Sequence, residues 1–423
     1  MLSATCRNRA STVIPRLLKV HSEKQQQRDS VIDLATAENA FMKDKVLTAM
    51  TRRGLSDPEL GYIKTIGGSL KIRKRISELF NDRICPTITV TESDIVLGAG
   101  AQCLLDALIE SVCDPEDGVL IATPYWSGLD LSISIRNRAK VVPVNVPLNE
   151  AFSPAVVHYY ETALRQASNT VKAVIVCNPN NPLGRCYPWE TVEAIWRFCQ
   201  RHELQYISDE VYALSIHDAQ TASQDTGFTS ALSIQSGSEN VHVIYSLSKD
   251  FGCNGIRLGA MISRSHDVHM SVALSTHGQI SSLTIPFAEA ILSSEHIMTK
   301  VLGQSRQYLR DHADLVIGFC QAENIEFLPP SAGHFVFAKL CHDSTAAEED
   351  LLERLRSAGV ELSSGTSYHS TQRGWFRICF GLNRHTLIEG LDRVKGVLNI
   401  TTQGLVLIEA TEVWPDIKYS SLG

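Results

Sequence analysis

The sequence predicts an α/β fold, with a large domain built on a mostly parallel sheet and a smaller α/β domain after it. Short apolar runs of strand length, at 119–122, 173–177, 205–208, 241–245 and 258–262, are bounded by Pro, Gly or Asp. They alternate with longer helical stretches such as 187–202. From about residue 310 the pattern turns to helix–strand–helix, with strands at 335–339 and 375–380. Strands apolar on both faces suit a parallel sheet covered by helices.

In chain order, residues 31–35 read as a short extended piece followed by helical patterns. A strand at 94–97 then runs into Gly98-Ala99-Gly100-Ala101 and a helix from 102 to 112. Residues 1–45 are assigned to an N-terminal arm and part of the small domain, 46–310 to the large ligand-binding domain, and 311–423 to the small one. The stretch 215–239, rich in Ser, Thr, Asp and Gly, reads as a long surface loop. Residues 1–22 carry Arg7, Arg9, Arg16 and Lys19 and no acid, which fits an arm packing on a partner subunit or a mitochondrial transit peptide. The tail after Ile400 gives no pattern.

Bulk properties narrow the function. The 423 residues are 44% hydrophobic, enough for two cores. No apolar run nears the ~20 residues that span a bilayer. A net charge of −7 lacks the basic footprint of a nucleic-acid binder. The eleven cysteines follow no disulfide or metal-ligand spacing, so reduced thiols in the cytoplasm and no metal site are expected.

Functional candidates cluster at strand ends, where open α/β sheets bind ligands. Tyr245-Ser246-Leu247-Ser248-Lys249-Asp250-Phe251-Gly252 is followed by Ile256-Arg257-Leu258-Gly259. A lysine that forms an imine must give up its hydrated charge, and a crowded, partly dry site lowers its pKa. Lys249, between small hydroxyl residues and a glycine, meets that need, although an isolated Ser-x-x-Lys would read as a solvated lysine. Arg257, with Ser246 and Ser248, can make charge-assisted bonds to a phosphate.

Asp209 ends a buried strand, with Tyr212 three residues on. Such a carboxylate either meets a cation, for instance a pyridinium nitrogen, or caps a helix. Asn178-Pro179-Asn180-Asn181-Pro182 is a rigid polar turn in which Asn181 can donate to a phenolate oxygen. Gly98-Ala99-Gly100-Ala101-Gln102 opens a helix whose free N–H groups suit a phosphate. The same stretch partly matches a dinucleotide fingerprint, with Cys103 at the third glycine position. Trp126 either stacks on a planar ring or packs as core. Arg377, alone in an apolar strand, needs an anion: a substrate carboxylate or a buried ion-pair partner.

Taken together these motifs resemble fold-type I pyridoxal-phosphate (PLP) enzymes of the class I/II aminotransferase superfamily, from about Val31 to Ile400. The resemblance is greatest to the 1-aminocyclopropane-1-carboxylate (ACC) synthase branch and its fungal aminotransferase-like relatives. It implies that Lys249 is the Schiff-base lysine and the proton shuttle at Cα. It further implies Asp209 at the pyridine nitrogen, Asn181 and Tyr212 at the ring oxygen, and Trp126 stacked on the ring. Ser246, Ser248, Arg257, Ala101 and Gln102 would hold the phosphate, and Arg377 the substrate carboxylate. Tyr62, in Gly61-Tyr62-Ile63-Lys64, stands where relatives reach into a neighbouring subunit, which implies a homodimer with shared sites. Ala37-Glu38-Asn39 is similar to the ACC synthase signature whose glutamate lies near the substrate side chain. Tyr125-Trp126-Ser127-Gly128-Leu129-Asp130 and Cys253-Asn254 depart from that branch, which tends to carry Tyr-Tyr-Pro-Gly-Phe-Asp and Leu-Pro there.

The resemblance therefore implies an aminotransferase acting on a small amino acid, of the kind used in secondary-metabolite biosynthesis. A carbon–sulfur lyase and an ACC-type elimination are the alternatives on the same residues. A non-catalytic binding protein and a dinucleotide-dependent oxidoreductase are the alternatives of other classes.

Overall fold

The computed structural model describes Ser3, Arg7 and residues 31–53, 60–83, 89–217, 227–234 and 238–402, the last four as backbone. Strand β1 (Ile32–Asp33) leads into helices α1 (Ala40–Arg53) and α2 (Leu70–Arg83). Seven strands then build the large sheet: β2 (Ile95–Gly98), β3 (Gly118–Thr123), β4 (Lys140–Asn145), β5 (Val171–Cys177), β6 (Gln205–Asp209), β7 (Val241–Ser246) and β8 (Gly259–Ser263). Their order is β2-β8-β7-β6-β5-β3-β4. Six run the same way and β8 alone opposes them. The link from β7 to β8 holds one helical turn, Leu247–Asp250, and a 3-10 turn, Asn254–Ile256. No crossover helix fits there, so the chain returns antiparallel.

Alternation along each strand feeds two cores. Val174, Val176, Val243 and Tyr245 enter one, and Ala173, Ile175 and Ile244 enter the other. Helix α3 (Ala101–Val112) covers the second face through Leu104, Leu105 and Leu108. Helix α4 (Trp189–Arg201) covers the first through Val192, Ile195 and Phe198. Strand β4 carries no continuous apolar run, since Lys140, Pro143 and Asn145 interrupt it. It lies at the sheet edge, where a proline breaks no ladder.

The second sheet comprises β9 (Glu326–Leu328), β10 (Phe335–Lys339), β12 (Ser363–Ser364) and β13 (Trp375–Cys379), antiparallel in the order β12-β13-β10-β9. Strand β11 (Val360–Glu361) pairs instead with β1. Val336, Ala338, Phe376 and Ile378 pack against Leu309 and Val316 of α5 (Leu302–Ala322) and Leu351 and Leu355 of α6 (Thr345–Ser357). The other face of β10 and β13 carries Phe335, Phe337, Trp375, Arg377 and Cys379. That face turns to the large domain, which is how Arg377 enters the site.

The expected surface loop at 215–239 is corrected at 215–217 and 230–231, while Gly227 and Glu239 are exposed as expected. Ser215, Ile216, His217, Ser230 and Ala231 are buried, and Ile216 bridges to Ala332. Polar residues turn inward here because they find partners: the Ser215 hydroxyl donates to Asp250 at 2.6 Å, and the His217 N–H to Ser331 O at 3.0 Å. Residues 218–226 and 235–237, the arm at 1–22 apart from Ser3 and Arg7, and the tail beyond 402 lie outside the described residues.

Phe80 of α2 is fully buried and meets Tyr245 edge-on, with ring centroids 5.4 Å apart. Phe80→Ala should lower stability by about 3–5 kcal/mol. The check is a lower urea midpoint at unchanged slope.

Candidate active site

The carboxyl end of β7 sets the site. Ser246 caps the one-turn helix by accepting from the Ser248 N–H at 3.2 Å. Asp250 anchors that turn from beneath. Its carboxylate accepts from the Ser215 hydroxyl at 2.6 Å, the Leu214 N–H at 3.1 Å and the Tyr245 hydroxyl at 2.9 Å. Ser215 in turn meets His334 Nε2 at 3.0 Å. With this turn fixed, Lys249 points into the cleft between the domains. Its Nζ donates to Ala37 O at 2.8 Å and lies 6.0 Å from the Tyr212 ring centroid. Burial lowers the ammonium pKa, and the charge of Arg377 lowers it further, against Glu38 and Asp209.

Asp209 ends the neighbouring strand β6. Its Oδ1 is buried with no hydrogen-bond partner among the described residues. Burial pushes its carboxyl up to about 6, although the Val211 N–H and Lys249 favour the charge. A buried carboxylate oxygen left over this way calls for a cation or an N–H donor.

Arg377 crosses from β13 to the same cleft. Nη1 donates to Asn181 Oδ1 at 2.8 Å, and Nη2 donates to Ala35 O. The guanidinium lies between two rings, 5.0 Å from Phe335 and 4.9 Å from Tyr368. No carboxylate pairs with it among the described residues, and its Nε is buried without a partner there. A structural ion pair is therefore not what keeps this arginine inside. Because Asn181 Oδ1 accepts from Arg377, the amide NH2 is the end left to donate.

At the start of α3 a cradle forms for an anion. Gly100 has φ 91°, and a Cβ there would strike the Arg257 guanidinium. A Cβ on Gly259 would come within 2.8 Å of Ala101 N. Arg257 lies over this turn, its Nη1 donating to Asn254 O at 2.7 Å. The first N–H groups of the helix, at Ala101 and Gln102, have no intrahelical acceptor and point outward. Gln102 Nε2 donates to Gly128 O at 3.3 Å, tying this turn to the Trp126 segment.

The remaining candidates fall around this centre. Tyr212 is buried, edge-on to His334 and Phe335. Trp126 is 37% exposed at the cleft, on the segment after β3. Glu38 accepts from Asn254 Nδ2 at 2.8 Å and pairs with Lys43. Tyr62 is 97% exposed and contributes nothing to the site of its own chain. Sequence reasoning missed Ser215, just beyond the Asp209–Tyr212 motif, and Tyr368, just before the Gly374–Phe380 run, because neither belongs to the motif beside it. Asp250, inside the lysine motif, carries no role legible from the sequence.

The orphaned Asp209 oxygen, the partly buried Lys249 amine and the glycine cradle fit PLP: a ring nitrogen, an aldehyde and a phosphate each find a matching group. Comparison with known proteins gives the same direction. Residues 29–394 match the family model described as aminotransferase class I and II. The chain is 46% identical to the probable aminotransferase tcpI of Claviceps purpurea, over 94% of this chain and 96% of that one. It is 30% identical to 1-aminocyclopropane-1-carboxylate synthase 1 of Oryza sativa subsp. indica, over 82% and 74%. The aspartate aminotransferase structure from Thermotoga maritima superposes with a TM-score of 0.76 at 22% identity, covering 94% of this chain and all of that one, which bears on the fold alone. No helix among the described residues is long and apolar enough to cross a membrane.

A pH dependence follows from Asp209. Below about pH 4 the carboxyl is protonated whether the chain is folded or not, and burial costs little. Above about 6 the folded state must hold it ionised and desolvated, so stability is lost as pH rises through that range. Cofactor-free Asp209→Asn should come close to the parent near pH 4 and exceed it by about 3 kcal/mol at pH 7.5. Urea unfolding at both values checks this.

Proposed function

The chain belongs to the class I and II aminotransferase family, and from that premise we propose that it is a PLP-dependent aminotransferase acting on a small amino acid. The observation that carries this reading is the convergence of Lys249, Asp209 and Arg377 on one cleft, where Asp209 Oδ1 and Arg377 Nε have no hydrogen-bond partner among the described residues and burial lowers the pKa of Lys249.

When bound, PLP supplies an aldehyde for the substrate amine and an electron sink for charge developing at Cα. The protein does the rest. Asp209 holds a proton at the ring nitrogen, which relieves its own unpaired burial. Asn181, through its free amide NH2, and Tyr212 hold the ring oxygen. Trp126 covers the ring face. Ser246, Ser248, Arg257 and the N–H groups of Ala101 and Gln102 bind the phosphate. Arg377 grips the substrate carboxylate, its plane fixed by Phe335 and Tyr368. Lys249 takes the proton from Cα and returns it, a task suited to an amine whose pKa burial has lowered.

The exposure of Tyr62 and of Leu60, at 97% and 77%, supports a homodimer in which Tyr62 reaches the partner's phosphate. The described cysteines are all free thiols, which supports a cytoplasmic setting.

Purified protein given PLP, an amino acid and a keto acid should transfer the amino group. Lys249→Ala should lose at least about 10³-fold in kcat/KM. Borohydride reduction should leave the pyridoxyl adduct on Lys249. Pyruvate and thiol release without keto-acid dependence would mean a carbon–sulfur lyase instead, and an adduct elsewhere would sink the reading. The solution mass should be twice the 46.6 kDa of the chain. Tyr62→Ala should weaken PLP binding about tenfold.

A further inference from the structure

We propose that Asp130 and His369 are positioning residues, a joint that ties the ring-stacking segment of the large domain to the substrate-carboxylate clamp of the small one. The inference rests on the aminotransferase reading of the site and deepens it.

The joint has two sides. Tyr125 and Trp126 follow β3, and Tyr368 and His369 lie in the turn before β13. Asp130 bridges them. Its Oδ1 accepts from the Tyr125 hydroxyl at 2.8 Å, and its Oδ2 meets His369 Nε2 at 2.8 Å. The Tyr125 and His369 rings stack, with centroids 4.5 Å apart and planes 17° apart. The Tyr125 N–H donates to Tyr368 O at 2.8 Å. His369 has φ 57°, a left-handed backbone that a non-glycine keeps only when its contacts hold it.

The path then reaches the clamp. Tyr368 is buried, with its ring 4.9 Å from the Arg377 guanidinium. On the other side, Trp126 is the next residue after Tyr125. A shift of His369 therefore moves both the plane of the carboxylate clamp and the aromatic cover. The Asp130 and His369 side chains are about a third exposed, where such a polar contact adds little to stability. Its effect is on geometry, to which bound reactants are sensitive at the ångström level. Asp130 and His369 touch no reacting atom and act through Tyr125 and Tyr368.

The test uses the holoenzyme. Asp130→Ala should raise KM for the amino-acid substrate about tenfold while kcat stays within about twofold. Asp130→Asn, whose amide oxygen accepts from the Tyr125 hydroxyl and whose NH2 donates to an unprotonated His369 Nε2, keeps both bonds and should recover most of the affinity. His369→Phe, which keeps the stack and loses the bond, should behave like Asp130→Ala and carries the test if that variant does not fold. In an Arg377→Lys background the Asp130→Ala effect should largely disappear, because both act on one clamp. Independently of turnover, amide exchange at Tyr125 should quicken about tenfold in Asp130→Ala. Unchanged KM in both variants, full additivity with Arg377→Lys, or unchanged Tyr125 protection would each overturn the joint. A parent protein that transfers no amino group would sink the aminotransferase reading, and amide exchange would still judge the joint.

Discussion

Everything in the site depends on keeping one amine out of water. Lys249 ends a chain of constraints that begins in the sheet. Strand β7 is buried along its whole length and delivers a capped single turn at its carboxyl end. Asp250, fixed by three hydrogen bonds, holds that turn from below. Only then does the lysine side chain emerge into a cleft where burial lowers its pKa. A lysine on a freely moving loop would find water, and with it an ordinary ammonium.

The two sheets divide the work. The large sheet presents strand ends, as parallel sheets do, and so brings Asp209, Asn181, Lys249 and the α3 cradle to one edge. The small sheet presents a face. Alternation along β13 sends Phe376 and Ile378 into its own core and Arg377 toward the other domain. That face lies against Ala37, Val211 and Tyr212, and Arg377 and Asn181 share a hydrogen bond across it. The site exists only where the two domains meet, which is why no single stretch of sequence contains it.

What was legible in the sequence was local. The strands ending in Asp209, Cys177 and Ser246 were readable because each is a continuous apolar run stopped by a polar residue. The lysine, aspartate and asparagine motifs were readable because their spacing is rigid. Strand β4 was not, since its side chains alternate on an edge and Pro143 masks it. Nor was the reversal of β8, which depends on the missing crossover. The segment around Ser215 looked like loop because its composition is polar, and its burial is set by Asp250, thirty-five residues away. Tyr368 and the Asp130–His369 contact escaped for the same reason: contacts of long sequence separation leave no periodic trace.

The electrostatics add one more constraint. Arg377 is always charged, and its field helps to depress the pKa of Lys249. A carboxylate bound to that guanidinium offsets the field, so the depression is relieved when the clamp is filled. The amine then holds a proton more readily in the filled site than in the vacant one. On the proposed reading Arg377 does two things from one position: it would select an anionic group, and it would tie the basicity of Lys249 to whether that group is present. No carboxylate among the described residues pairs with Arg377, and that is what makes this coupling physical. An aspartate paired there would neutralise the guanidinium permanently, and the lysine would no longer register the substrate's arrival.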